Sequence, residues 1–174
     1  PAAERAAGLS GGVRLTVIGS VNLDLVAQAE RLPTPGETVT GATFASYPGG
    51  KGANQALAAQ RLGATVALVA RVGTDANAAA ALALLEVGGV NVASIVRDAE
   101  APTGVALIAV DARGENHIVV APGANAQLAP ADIPAAALEG AVLCQLEIPV
   151  PTLEFVAANA QGFLALNLAP ARAL

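Results

Sequence analysis

A loop rich in glycine, with one lysine and two amide side chains, is the stretch of the sequence best suited to hold a ligand. This glycine loop consists of Pro48, Gly49, Gly50, Lys51, Gly52, Ala53, Asn54, Gln55 and Ala56. Glycine lets a backbone approach a ligand closely or adopt a positive φ, which is costly for residues with a Cβ. Apolar residues recur at helical spacing after Gly52 until Gly63, which predicts a helix beginning in the loop. Because a helix N-terminus has unpaired N–H groups, we expect the loop to bind an anion or hydroxyl oxygens.

Two polar residues follow the first predicted strand. Residues 14–20 are a β-branched run that predicts a buried strand, and Asn22 and Asp24 come directly after it. Ligands of open α/β sheets gather at the carboxyl ends of strands. Asn22 and Asp24 are therefore candidate ligand contacts, with a turn that satisfies only its own backbone as the open alternative.

A carboxylate follows a later predicted strand in the same way. Glu147 comes after the apolar run 141–145, so a parallel sheet would place it at the same edge. At this edge a carboxylate acceptor, two amides and an ammonium donor would come together from Asn22, Asp24, Lys51 and Asn54, which suits a ligand with several hydroxyl groups. A solvated loop glutamate is the open alternative.

Common catalytic motifs do not fit this sequence. The residue after Lys51 is Gly52 instead of Ser or Thr, and Ala45 stands where a Walker A motif needs glycine. The spacing also fails the dinucleotide fingerprint G-x-G-x-x-G, and no Ser-His-Asp or H-E-x-x-H arrangement supports a hydrolase. His117 lies in a predicted hairpin without metal-ligand spacing, so we expect a structural or surface role for it.

The composition limits the class of partner. The chain of 174 residues carries a net charge of -5 and no basic run, which argues against nucleic acid and anionic membrane surfaces. Its longest charge-free stretch, 155–171, contains asparagine, glycine and proline, unlike a membrane span. The single cysteine, Cys144, excludes an internal disulfide, and we expect it to pack in the core of a cytoplasmic protein.

The order of predicted elements indicates an α/β fold. After the loop helix come a strand at 65–72 and a helix at 76–87, and from residue 132 a short helix, a strand, a helix at 151–160 and a strand at 163–167. Between them, 103–110 and 116–121 predict a hairpin pairing with a strand at 37–47. We therefore expect a doubly wound, mostly parallel sheet flanked by helices, with a small β lid. The expected division is a loose tail at 1–12, an α/β domain from 13–36, 48–101 and 122–174, and a lid from 37–47 and 102–121.

Several motifs together resemble one known family. The segments 17–24 (VIGSVNLD), 33–38 (PTPGET) and 49–56 (GGKGANQA) are similar to ribokinase-type members of the PfkB family of sugar kinases. Later segments agree in the same order: 72–75 (VGTD), 103–106 (TGVA), 114–116 (GEN), 122–125 (PGAN), 145–147 (QLE) and 166–171 (LNLAPA). The resemblance covers nearly the whole chain from Arg14 onward, but only the N-terminal portion of the family.

The resemblance implies a function and a site. The implied activity is ATP-dependent transfer of a phosphoryl group to the 5-hydroxyl of D-ribose, giving ribose 5-phosphate, with Mg²⁺ and K⁺ required. It also implies a homodimer formed through the β lid. The implied sugar contacts are Asn22, Asp24, Gly49, Gly50, Lys51, Asn54 and Glu147, and the implied lid residues are Thr103, Gly104, Val105 and Ile108.

The family's C-terminal half has no counterpart in these 174 residues. That half holds the nucleotide pocket and the aspartate that acts as base, so the resemblance implies no catalytic base in this segment and sites for ATP, Mg²⁺ and K⁺ mostly outside it. Two alternatives stay open. One is another PfkB sugar kinase, a fructokinase or a 2-keto-3-deoxygluconate kinase, and the other is a non-catalytic sugar-binding fragment.

Overall fold

A computed structural model describes residues 12–171, which form two β-sheets and the helices around them. The predicted tail 1–12 lies outside the described residues except for residue 12. The elements in chain order are β1 (Arg14–Ile18), β2 (Asn22–Gln28), β3 (Thr43–Gly49), α1 (Lys51–Arg61), β4 (Thr65–Gly73), α2 (Ala76–Val87), β5 (Asn91–Asp98), β6 (Gly104–Val110), β7 (Asn116–Ala121), 3-10 turns at Gly123–Gln127, Pro130–Asp132 and Ala135–Leu138, β8 (Ala141–Gln145), α3 (Val150–Asn159) and β9 (Leu164–Asn167).

The first sheet has five parallel strands in the order β5-β4-β1-β8-β9. Helices cover both of its faces, which confirms the predicted α/β class. Side chains of α1 and α2, such as Leu57 and Leu82, pack on one face in one apolar cluster. Leu153 and Val156 of α3 belong to a second cluster on β8 and the 3-10 turns. Each fully buried leucine contributes about 1.5–3 kcal/mol. The central strands are thus fixed firmly beneath the loops at their carboxyl ends.

The second sheet is mixed and has four strands in the order β3-β2-β6-β7. Strand β2 is antiparallel to β3 and parallel to β6, while β6 and β7 form the predicted hairpin. We expected the hairpin to pair directly with β3. It does not, because β2 lies between β3 and β6. This sheet is the one that the sequence predicted as a lid, and it also draws on the segment 13–36 that we had assigned to the α/β domain.

Asn22 and Asp24 lie on strand β2, so the open alternative of a turn at these residues is wrong. Polar and apolar residues alternate along the start of this strand, with Leu23 and Leu25 packed in or against the core and Asn22 and Asp24 on the other face. That period of two is the signal for a half-buried strand, and it outweighs the turn chemistry of Asn and Asp. Strand β5 was also missed, and the short helix expected after residue 132 is instead two separate 3-10 turns, Pro130–Asp132 and Ala135–Leu138.

No helix within residues 12–171 combines the length and the apolar character needed to cross a membrane.

Candidate functional site

The glycine loop connects the second sheet to the first helix in one step. Strand β3 ends at Gly49, α1 begins at Lys51, and Gly50 between them has a φ of 90°. A Cβ on Gly50 would lie 2.8 Å from the backbone N of Asn22, and one on Gly52 would lie 2.6 Å from the backbone N of Ser20. Both glycines are therefore required because the loop packs directly on the backbone that joins β1 to β2.

The first four backbone N–H groups of α1 already have acceptors within the protein. The expectation of unpaired N–H groups is therefore wrong. The positive end of the helix faces a carboxylate of the protein itself, since Glu147 takes the first of these bonds. The four bonds are Lys51 N to Glu147 Oε2 (3.0 Å), Gly52 N to Ser20 Oγ (3.2 Å), Ala53 N to Ser20 O (2.9 Å) and Asn54 N to Gly50 O (2.9 Å).

Glu147 joins the carboxyl end of β8 to the glycine loop. Its Oε2 accepts a hydrogen bond from Ser20 Oγ over 2.6 Å in addition to the bond from Lys51 N. Its Oε1 lies 3.2 Å from Lys51 Nζ, and the Glu147 side chain is only 14% exposed. The open alternative of a solvated loop glutamate does not describe this residue. Glu147 instead holds Lys51 beside the cleft described below.

Asn22 is held from behind by a buried asparagine. Asn125, in the first 3-10 turn, donates from Nδ2 to Asn22 Oδ1 over 2.8 Å. The Asn125 side chain also exchanges two hydrogen bonds with the backbone of Val21, at 2.9 and 3.0 Å. A Cβ on Gly104 would lie 2.3 Å from both Asn22 Oδ1 and Asn125 Nδ2, so the glycine makes room for this pair.

Asp24 is the one carboxylate of the site without a donor among the described residues. A Cβ on Gly49 would lie 2.3 Å from Asp24 Oδ2, so this glycine provides the space for the carboxylate. Burial raises the pKa of Asp24, the charge of Glu147 raises it further, and the charge of Lys51 partly offsets both. A partly buried acceptor without a partner is a group that a ligand hydroxyl would satisfy.

One cleft of about 130 Å³ lies between one face of the second sheet, the start of α1 and Glu147. Its size is small beside the roughly 300–1,000 Å³ of sites for drug-sized ligands, which suits a small molecule. The sheet face is polar on β2, where Asp24 is the neighbour of Ala106, and apolar on β6 and β7. Six predicted residues line the cleft, Asn22, Asp24, Gly50, Lys51, Asn54 and Glu147, and its apolar lining is Ala106, Ile108, Ile118 and Val120.

Of the four predicted lid residues, only Ile108 lines this cleft. Thr103 instead receives a hydrogen bond from Gly73 N at its hydroxyl and donates from its backbone N to Asp75. Gly104 lies under the asparagine pair, and Val105 packs against the core. Because side chains alternate along β6, Ala106 and Ile108 share the face toward the cleft, whereas Val105 points to the other face.

Sequence reasoning gave no role to Ser20 or Asn125. Ser20 is fully buried and Asn125 is 2% exposed, and both act only through residues distant in sequence. A serine at the end of a buried strand was a usable signal for Ser20, because a polar side chain there needs a partner. No local pattern identifies Asn125.

The remaining chemical groups do not extend the site. His117 is exposed on β7, and Cys144 is buried, which raises the pKa of its thiol to about 12. Within residues 12–171 no group of three or more His, Cys, Asp or Glu side chains could hold a metal ion.

Similarity to known proteins agrees with this geometry. The model of the pfkB family of carbohydrate kinases matches residues 14–169. The chain belongs to this family. A ribokinase of Bacillus subtilis is 42% identical over 168 residues, which cover 92% of the chain and 57% of that protein.

Solved structures of the family have the same fold. The ribokinase of Thermotoga maritima matches with a TM-score of 0.83 and 33% identity over 93% of the chain and 55% of that structure. A ribokinase of Arabidopsis thaliana in complex with ribose and ATP matches with a TM-score of 0.74 and 30% identity over 91% and 54%, respectively. The chain thus spans about half of the length of these PfkB family members.

Proposed function

We propose that this chain forms the sugar-binding part of a kinase that phosphorylates D-ribose at its 5-hydroxyl, with ATP as the phosphoryl donor. The observation that carries the proposal is the cleft, which brings together an unpaired carboxylate, two amides, an ammonium group and a patch of apolar side chains. A sugar presents hydroxyl groups at its rim and C–H groups on its faces, so both kinds of side chain would find partners. Among the PfkB family members, the ribokinase of A. thaliana was solved with ribose and ATP.

Each polar residue has a defined part in this proposal. Asp24 accepts from sugar hydroxyls, because no donor within residues 12–171 satisfies its carboxylate. Lys51 and Asn54 donate from the start of α1, and Glu147 fixes Lys51 through both of its oxygens. Gly49 provides the space for the Asp24 carboxylate, and Gly50 lets the loop pack on the backbone that joins β1 to β2.

The phosphoryl donor has no assigned place on the described residues. The N–H groups that begin α1 are already paired within the protein. The proposal therefore assigns ATP, Mg²⁺ and K⁺ to sites outside residues 12–171 and derives no catalytic step through them. A cytoplasmic location belongs to the same proposal.

A homodimer formed through the second sheet is also proposed. All six residues of β7 are exposed, including Val119 at 64%, and its pairing partner Leu107 on β6 is 51% exposed. Exposed apolar side chains on neighbouring strands are typical of an interface. Light scattering on the full-length protein tests this, with Val119→Lys expected to give the monomer. A monomeric wild-type protein at micromolar concentration would overturn it.

Product analysis tests the kinase proposal. The full-length gene product is incubated with Mg²⁺, ATP and D-ribose, ADP release is followed, and the phosphorylated carbon is located by NMR. We expect ribose 5-phosphate, with D-fructose and 2-keto-3-deoxygluconate as poorer substrates. Glu147→Gln should lose most of the activity, whereas Glu154→Gln, an exposed change on α3, should not. Faster turnover of either competing sugar contradicts the ribose assignment, and sugar binding without phosphorylation supports the non-catalytic alternative.

A further inference from the structure

The orientation of one buried amide is fixed by the protein backbone. Val21 N donates to Asn125 Oδ1 over 2.9 Å, and Asn125 Nδ2 donates to the Val21 carbonyl over 3.0 Å. A backbone N–H can only donate and a carbonyl can only accept, so these bonds decide which end of the amide is oxygen. Asn125 is 2% exposed, which leaves it no alternative partner in water.

The orientation of the Asn125 amide also fixes the orientation of the Asn22 amide. Asn125 Nδ2 also donates to Asn22 Oδ1 over 2.8 Å, so the oxygen of the Asn22 amide points inward. Nδ2 of Asn22 has no hydrogen-bond partner among the described residues, and Asn22 lines the cleft. Gly104 lies directly under the contact, where a Cβ would come within 2.3 Å of both amides. The cleft is therefore given a hydrogen-bond donor at Asn22.

A donor at Asn22 stands beside an acceptor at Asp24. The two residues are two positions apart on β2 and share the face toward the cleft. Two neighbouring hydroxyl groups on a sugar ring match this pair, because one can accept from Asn22 while the next donates to Asp24. A hydrogen in place of the first hydroxyl would leave the Asn22 donor unpaired.

We propose that Asn125 is a specificity-determining positioning residue, which makes Asn22 a donor and so selects a sugar hydroxyl that accepts from it. This inference rests on the proposed sugar-binding function. Asn125 itself touches no ligand in this scheme. Replacing it with Asp keeps the side-chain shape and the bond from Val21 N, but removes the donor that holds Asn22 Oδ1. The Asn22 amide is then free to turn and donate inward, which presents its oxygen to the cleft.

Affinity ratios for deoxy sugars test the inference on the full-length protein. Calorimetry gives Kd for D-ribose and for its 2-deoxy, 3-deoxy, 2-deoxy-2-fluoro and 3-deoxy-3-fluoro analogues with the wild type, Asn125→Asp and Asn159→Asp. The fluoro sugars are needed because a hydroxyl can pair with Asn22 in either orientation, whereas fluorine accepts a hydrogen bond and cannot donate one. Asn159→Asp is the matched control, because Asn159 is exposed on α3 and its side chain donates to the Phe155 carbonyl. At one ring position the deoxy sugar should bind the wild type roughly 3- to 10-fold more weakly than the fluoro sugar. That ratio should fall to about 1 or below in Asn125→Asp, where the Asn22 oxygen would face the fluorine, and stay unchanged in Asn159→Asp.

The ratio separates specificity from structural damage. A variant that is merely distorted loses affinity for all of the sugars by a common factor, so an unchanged ratio in Asn125→Asp overturns the inference. Wild-type protein that binds ribose but prefers neither fluoro sugar to its deoxy counterpart also overturns it. Failure of the wild type to bind ribose at all overturns the ribose proposal first, and this inference with it.

The wild type supplies a second test if Asn125→Asp does not fold. Side-chain amide signals of Asn22 and Asn125 are followed by ¹⁵N NMR during a ribose titration, and Asn22→Asp identifies the Asn22 pair. The Asn22 signals should shift on saturation and become protected from exchange, whereas the Asn125 signals should be protected already without sugar. Asn22 signals that ribose leaves unmoved contradict the proposal.

Discussion

Replacing Ser20 with alanine removes the hydroxyl that joins the glycine loop to Glu147. Ser20 Oγ donates to Glu147 Oε2 over 2.6 Å and accepts from Gly52 N over 3.2 Å. A hydrogen bond to a charged group contributes about 1.5–3 kcal/mol, and an unpaired buried donor costs about 1–3 kcal/mol. Because Glu147 keeps its bond from Lys51 N, we expect the free energy of unfolding to fall by about 2–4 kcal/mol. For a chain of this size the Tm should drop by about 5–15 °C.

Thermal unfolding of two matched variants measures this effect. Ser46→Ala is the control, because Ser46 is exposed on β3 and pairs with Leu25, on the opposite face of the sheet from Asp24. It should leave the Tm within about 1 °C of the wild type, since exposed substitutions change stability little. Ribose affinity, measured by calorimetry below the Tm, should also fall for Ser20→Ala because Glu147 and Lys51 lose a fixed position. Equal Tm values for the two variants would refute the reasoning.

Three further changes follow from the same geometry. Because burial raises the pKa of Asp24, folding favours its protonated form, and the free energy of unfolding should fall as pH rises above about 4. Asp24→Asn should therefore unfold at a higher temperature than the wild type at pH 7, but not near pH 3. The same variant should lose ribose binding. The pKa of Asp98 is lowered to about 2 by the backbone N–H groups of Ala101 and Glu100 and then by Arg71. The stability that the ionised Asp98 contributes above pH 4 should therefore be lost toward pH 2. In acid titrations, Asp98→Asn should lose less stability over this pH range than the wild type. Gly104→Ala should separate the Asn22 amide from its partner and lower both Tm and ribose affinity, and an unchanged affinity would count against the role given to that contact.

The sequence predicted the first sheet well because its signals are local. Strand β4 and helix α2 are apolar runs closed by glycine or preceded by a capping residue, and Asp75 indeed accepts from Asn77 N at the start of α2. Strand β5 has no such sequence signal. It lies at the edge of the sheet and half of its residues are half-buried, so neither alternation nor a continuous apolar run identifies it as a strand.

Single residues of the candidate site were predictable from the sequence, but the hydrogen bonds that connect them were not. Residue type and position at strand ends pointed to Asp24 and Glu147, because the chemistry of carboxylates at a sheet edge is visible in one dimension. The bond between Asn125 and Asn22 joins residues 103 positions apart, and that between Ser20 and Glu147 spans 127. Such pairings depend on strand order, which put β1 beside β8 and β2 beside β6.

The hydrogen bonds at the start of α1 also explain why this glycine loop suits a neutral ligand although it lies at a helix N-terminus. A phosphate would need free N–H groups, but Ser20 and Glu147 occupy those at Lys51 and Gly52. Expelling the Glu147 carboxylate to admit a phosphate would leave that charge half-buried beside Asp24, whose own pKa its charge already raises. Two carboxylates and a phosphate in a cleft of about 130 Å³ would repel one another. Sugar hydroxyls would instead donate to Asp24 and leave the hydrogen bonds of Glu147 intact. Gly50 and Gly52 therefore serve to pack the start of α1 against the backbone that joins β1 to β2. The Glu147 carboxylate is the anion at the helix N-terminus.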